Sequence, residues 1–200
     1  MKQATVKARS PERIDKAYAR YRIVAGAWNG ECEARAFAGS HIVLSVGGDT
    51  VDQAVETLEA RLDARLAAFL EAREDGPSEA EYAEALYALG PNLSAGQRSL
   101  LRAHMTRPGH GVALSGLDAI TRCGSVDMVA TEYARLGRLI GTFLSFKPKD
   151  PDLGRKLLPL LVFMTTEDAE SKGGLWVLRP AFALALSAHP KIVGTARAAA

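Results

Sequence analysis

The chain has 200 residues, 48% of them apolar, with 25 basic and 23 acidic side chains and a formal charge of +2. That length allows one or two small domains with real cores, and that charge is too small to demand a nucleic-acid partner. Cys32 and Cys123 are too few for a disulfide framework or a zinc site, the first ten residues carry no apolar signal run, and no stretch approaches the roughly 20 apolar residues of a membrane span, so a soluble cytoplasmic protein is expected.

Residues 1–9 read as a loose tail. Ser10-Pro11 reads as a helix start, Ser as cap and Pro at the first helical position, so a short helix to about residue 20 is expected. Residues 21–28 read as a strand and 31–37 as its return. Asn29-Gly30 joins them, because both residues tolerate the positive φ of a tight hairpin turn. Gly39-Ser40 leads to a third strand, residues 41–46, which Gly47-Gly48-Asp49 ends. Thr50 and Gln53 then have the spacing of a capping box. The long helix behind it sets Val51, Val55, Leu58, Leu62, Leu66, Phe69 and Leu70 on one face. The expectation is a tail and short helix over 1–17, then a three-stranded antiparallel sheet with one long helix over 18–75.

Residues 73–77 are charged and punctuated, and mark a domain boundary. Ser78 with Glu81 and Ser94 with Gln97 open two further helices. The first turns Tyr82, Leu86 and Leu89 inward and stops at Gly90-Pro91; the second runs to about residue 106. Residues 111–114 can form a short strand. Residues 115–120 form a short helix, Cys123-Gly124 a turn, and 125–146 a long helix. The apolar residues of that long helix (Val129, Tyr133, Leu136, Ile140 and Phe143 among them) recur three and four apart. Opposite run Asp127, Thr131, Arg135, Arg138 and Thr142. This is the layout of a helix-turn-helix. Residues 157–165 and 175–178 read as two strands and 167–174 as the polar turn between them, which makes a wing. Residues 180–188 read as a closing helix and 191–200 as a frayed end. The expected fold is thus α+β: the sheet module, then a helical winged-helix module over 78–190. Gly137 and Gly141 lie inside the long helix at a cost of about 1 kcal/mol each against Ala, so a close approach by another element is expected there.

The charge distribution bears on function. Residues 1–75 hold eleven basic and twelve acidic side chains, residues 111–200 eleven and eight. Candidate phosphate contacts are Arg122, Arg135, Arg138, Lys147, Lys149, Arg155 and Lys156, and candidate base contacts are Ser125, Met128 and Thr131 on the long helix. Asp127 and Glu132 interrupt that face, Asp150 and Asp152 dilute the cations, and Glu167-Asp168-Ala169-Glu170 makes the wing tip acidic. These acids favour a protein partner on the same surface. No cofactor, metal or catalytic set is expected. The four histidines are scattered, and Ser99 and His104 lack a nucleophile elbow. Gly47-Gly48-Asp49-Thr50 lacks the lysine and glycine spacing of a phosphate loop. Trp28 and Trp176 read as core or interface anchors.

Two resemblances follow. Residues 93–189, above all Tyr133-Ala134-Arg135-Leu136-Gly137-Arg138-Leu139 and Trp176-Val177-Leu178-Arg179-Pro180, resemble a winged-helix-like module found beside HNH-type nuclease domains in bacterial restriction-like systems. Members carry an aromatic and an Asn-Leu pair before the Tyr, where this chain has Ala130-Thr131, and the chain holds no HNH residues. Residues 21–70, ending in Gly47-Gly48-Asp49-Thr50, are similar to the N-terminal module of HicB-type antitoxins. Together they imply a non-enzymatic bacterial or phage DNA-binding regulator that can form a homodimer. The alternative is an antitoxin-like or phage-encoded inhibitor whose partner is a nuclease or defence complex. A third expectation is a subunit whose chemistry lies on another chain.

Overall fold

A computed structural model describes residues 13–122, 124–149, 154–167 and 174–193. The chain divides into two compact units between Glu71 and Ala72. The first is a meander of four antiparallel strands, β1 (Arg13–Tyr18), β2 (Tyr21–Trp28), β3 (Glu31–Ala38) and β4 (His41–Gly48), in sheet order β1-β2-β3-β4, followed by helix α1 (Val51–Glu71). The expected three-stranded sheet is therefore corrected to four strands: β1 stands where a short helix was read.

The reason is a two-residue period. Ile14, Lys16 and Tyr18 pair with Ala25, Ile23 and Tyr21 and share their face. Lys16 reaches Glu59 at 2.7 Å and the Tyr18 hydroxyl donates to Asp63 at 2.9 Å, both on α1. Ala19, at φ 48°, turns the chain into β2. A helix over these residues would have no apolar stripe to bury, whereas a strand gains a partner. The Ser10-Pro11 signal lies outside the described residues.

The Asn29-Gly30 turn has the positive φ values, 54° and 86°, that a two-residue hairpin needs. Tyr21, Ile23, Ala25, Ala34, Ala36, Ala38 and Val46 form the covered face of the sheet, under Val51, Ala54, Val55, Leu58 and Leu62 of α1. At the start of α1, Gln53 donates its N–H to Thr50 Oγ1 at 3.1 Å, while its amide oxygen accepts from Asp49 rather than Thr50. Leu66 and Phe69 are only half-buried and Leu70 is 59% exposed, against the inward reading of all three. A 21-residue helix spans roughly 31 Å and an eight-residue strand about 26 Å, so the stripe outlasts the sheet beneath it.

The second unit runs α2 (Glu79–Leu89), α3 (Ala95–Met105), β5 (Gly111–Val112), α4 (Leu114–Thr121), α5 (Val126–Leu144), a 3-10 helix (Leu158–Val162), β6 (Met164–Glu167), β7 (Leu175–Leu178), α6 (Pro180–Ser187) and α7 (Pro190–Val193). Strands β5, β7 and β6 form one antiparallel sheet in that order. Ser78 and Ser94 close capping boxes with Glu81 and Gln97. The core gathers Tyr82, Leu100, Leu101, Leu117, Tyr133, Leu136, Ile140, Phe163 and Phe182, all fully buried or nearly so. Where one strand was read over 157–165, the chain makes the 3-10 helix before β6. Pro159, in its first turn, presets a helical φ and has no N–H to give a ladder. Cys123, the 150–153 stretch with Asp150 and Asp152, the polar turn 168–173 with most of the acidic tip, and the end from 194 lie outside the described residues. Among the described residues, no helix is long and apolar enough to cross a membrane.

The two helix glycines have a steric cause. A Cβ on Gly137 would lie 1.9 Å from the Pro159 carbonyl oxygen, and one on Gly141 would lie 2.9 Å from that of Phe146. The 3-10 helix rests on α5 through these gaps. Gly→Ala inside a helix ordinarily stabilises by up to about 1 kcal/mol; here the sign reverses. Gly137→Ala is expected to destabilise the second unit by about 3 kcal/mol, read as a lower midpoint in urea unfolding at unchanged slope.

Candidate nucleic-acid interface

Helices α4 and α5 meet at a turn that the backbone makes sharply. Arg122 ends α4 in a left-handed conformation (φ 52°, ψ 43°), its N–H bonded to Asp118 O, and Gly124 follows at φ 101°. Ser125 caps α5, its hydroxyl accepting from the Met128 N–H at 3.2 Å. Buried Leu114 and Leu117 hold α4 in the core. Val129, Ala130, Tyr133, Ala134, Leu136, Gly137, Ile140, Gly141 and Leu144 turn one side of α5 inward.

Asp127, Met128, Arg135, Arg138, Leu139 and Thr142 lie exposed on the other side, with Thr131 half-buried among them. Of the ten candidate contacts, α5 and its cap bring together Ser125, Met128, Thr131, Arg135 and Arg138. The Thr131 hydroxyl donates to Asp127 O at 2.7 Å, leaving its lone pairs free to accept. Arg122 stands exposed at the turn. Lys156 returns to the first turn of α5, its ammonium 2.6 Å from the Asp127 carboxylate, and thereby joins the face. That hydrogen bond, and the charge behind it, hold the Asp127 carboxyl below its ordinary pKa. Lys147 and Lys149 are exposed beyond the far end of α5, and Arg155 is exposed beside Lys156.

The face is not uniformly positive. Arg135 donates to Glu132 at 2.6 Å, one turn earlier on the same helix. The Asp127–Lys156 pair is largely solvated, so it adds little to stability and can exchange its partner, whereas Glu132 is mostly covered and only the Arg135 end of its pair is open. Near the C-terminal end of α5, Gly137, Arg138, Gly141, Lys147, Pro148 and Pro159 line a groove of roughly 600 Å³. Among the described residues, no group of three or more His, Cys, Asp or Glu is placed to hold a metal ion.

Two buried polar clusters that position α5 escaped the sequence reading. Arg73, taken as part of a charged break, donates to the fully buried Glu81 carboxylate at 2.5 Å and to the Leu144 carbonyl at 2.6 Å. It thus ties the last turn of α5 to α2. The only signal was an Arg eight residues before a capping Glu. His104 is not a base for Ser99, which is exposed, but a cross-tie within the core. Its Nε2 lies 3.1 Å from Trp176 O and its Nδ1 3.1 Å from the Tyr133 hydroxyl, which also lies 3.2 Å from Leu100 O. A carbonyl can only accept, so Nε2 carries the ring proton, and the single Tyr133 proton is shared between Nδ1 and the Leu100 carbonyl. Arg179 bonds the carbonyls of Leu161 and Asp75, and Trp176 is buried. No family model, curated protein or solved structure matches the chain.

Burial lowers the His104 pKa to about 4. The folded ring therefore stays neutral, while the unfolded chain binds a proton below its ordinary value of 6.5. Stability is retained above that value and lost as pH falls from there towards 4, by up to roughly 3 kcal/mol. His104→Gln, which keeps one donor and one acceptor, is expected to lower stability at neutral pH yet flatten this slope. Thermal melts of the two proteins over that pH range test it, and parallel slopes would contradict the assignment.

Proposed function

We propose that the second unit binds double-stranded DNA through the exposed side of α5, as a non-enzymatic regulatory protein. The observation that carries this reading is the display of Arg135 and Arg138 on α5, the longer of two helices joined by a tight turn, with Arg122 at the turn and Lys156 drawn back to the helix start. A helix held this way enters a major groove with its first turns against the bases. Ser125, Met128 and Thr131 occupy those turns. The cations meet phosphates, and the positive end of the α5 dipole adds to them. Lys147, Lys149 and Arg155 extend the charge to the flanking backbone.

A second reading has its own observation. Asp127 and Glu132 occupy the same helix, and Val126, Met128 and Leu139 are 44%, 53% and 46% exposed on it. Exposed apolar side chains between paired charges suit a protein partner, such as a nuclease or a defence complex, better than phosphates.

Fluorescence anisotropy with duplex DNA over a salt series separates the two. Under the first reading, affinity falls steeply with salt. Arg135→Ala with Arg138→Ala lowers the log–log salt slope by roughly 2 and weakens binding tenfold or more. Asp127→Asn with Glu132→Gln frees Lys156 and Arg135 and tightens binding. Absence of salt-dependent binding removes the first reading; loss of a protein partner by the Asp127/Glu132 variant supports the second.

A further inference from the structure

Strand β4 is one edge of the first unit's sheet, and among the described residues it pairs only with β3. Its outer backbone N–H and C=O groups are a template for another strand. The two edges of this sheet are treated differently. β1 carries Arg13, Asp15 and Lys16 at exposed positions, which blunts it. The eight residues of β4 include no Lys, Arg, Asp, Glu or Pro, and His41 stands at the very end. Ile42 is 44% exposed. Val43 and Leu44 are half-buried, although Ala36, directly opposite Leu44, is fully buried. Apolar area is thus left open on the side where β4 lacks a neighbour.

We propose that β4 pairs antiparallel with β4 of a second copy of this chain, joining two sheets into one across a two-fold axis. The occupant follows from charge and closure. An uncharged strand laid against itself sets no like charges opposite one another, whereas a charged strand would find no counter-charge on β4. A two-fold pairing uses each β4 edge once, and the charged β1 edges left outside stop further growth, so assembly ends at a dimer. The bulge opposite Ala36 and Phe37 kinks the start of β4 and leaves residues 44–48 as the regular run for pairing. In that run Leu44 and Val46 face α1 and Ser45 faces the open side of the sheet.

Sedimentation equilibrium of the full chain, up to concentrations on the order of 100 µM, tests this. A reversible monomer–dimer equilibrium is expected. Ser45→Lys, which sets lysines near one another across the axis, is expected to weaken it by roughly tenfold or more. Ala17→Lys, on the opposite edge, is expected to leave it unchanged. Should Ser45→Lys lose its thermal transition, Gly47→Lys, where an added Cβ meets only the Cys32 carbonyl oxygen at 3.7 Å, reads the same contact. Amide exchange supplies a second measurement: protection of residues 44–48 should rise with concentration. A chain monomeric throughout, or one that dimerises unchanged with lysine at either position, overturns the proposal, as does exchange there that is independent of concentration.

Discussion

The second unit depends on how closely the backbone at Pro159 approaches α5 at Gly137. No side chain fits between them, since even a Cβ would sit 1.9 Å from the carbonyl oxygen. That contact lays the 3-10 helix along one flank of α5, and the two pack together more extensively than any other pair of elements in the unit. Val162, at the end of the 3-10 helix, accepts a hydrogen bond from the buried Tyr82 hydroxyl, so α2 is tied to the same point. With one flank of α5 closed by the 3-10 helix and the adjacent side by the core, only the arc holding Asp127, Arg135 and Arg138 is left to meet solvent. The candidate surface is what remains after packing is satisfied.

The residues of the 133–139 and 176–180 stretches are mostly structural. Tyr133 is fully buried and bonded to His104, Gly137 is demanded by Pro159, and Trp176 is core. Arg179 spends its guanidinium on two carbonyls, and Pro180 opens α6 at the position where a missing N–H costs nothing. Such residues specify an architecture and leave open what its surface binds. On the outer side of α5, Arg135 is paired with Glu132 and Lys156 with Asp127. The Asp127–Lys156 pair is solvated on both sides and cheap to break, while Glu132 is mostly covered.

Buried polar groups do a different task. Arg73, held by Glu81 and bonded to the Leu144 carbonyl, and His104 between Tyr133 and Trp176 join segments far apart in sequence at points where an unpaired partner would be costly. They hold α5 at both its middle and its end. A helix that presents a binding face needs that rigidity, because a small shift at its base moves every exposed side chain along it.

Much of the local structure was legible in the sequence because its causes are local. The Ser78 and Ser94 caps, the Asn29-Gly30 turn and the apolar period of α5 each express a constraint acting within a few residues. The failures lie where the deciding partner is distant. Residues 13–18 carry a two-residue period of their own, but it is too short and too polar to decide between strand and helix until β2 and the acids of α1 receive it. Pro159 turns residues 158–162 into a 3-10 helix, but that this helix lies against α5 follows from the room Gly137 and Gly141 leave there. Leu70 is exposed because the sheet beneath α1 ends first. The chain alone could name the cations of the candidate surface, but not that Lys156 comes back to Asp127 or that Arg135 faces Glu132. Charge pairing across a fold is set by which backbone atoms are brought within a few ångströms, and only the tertiary structure decides that.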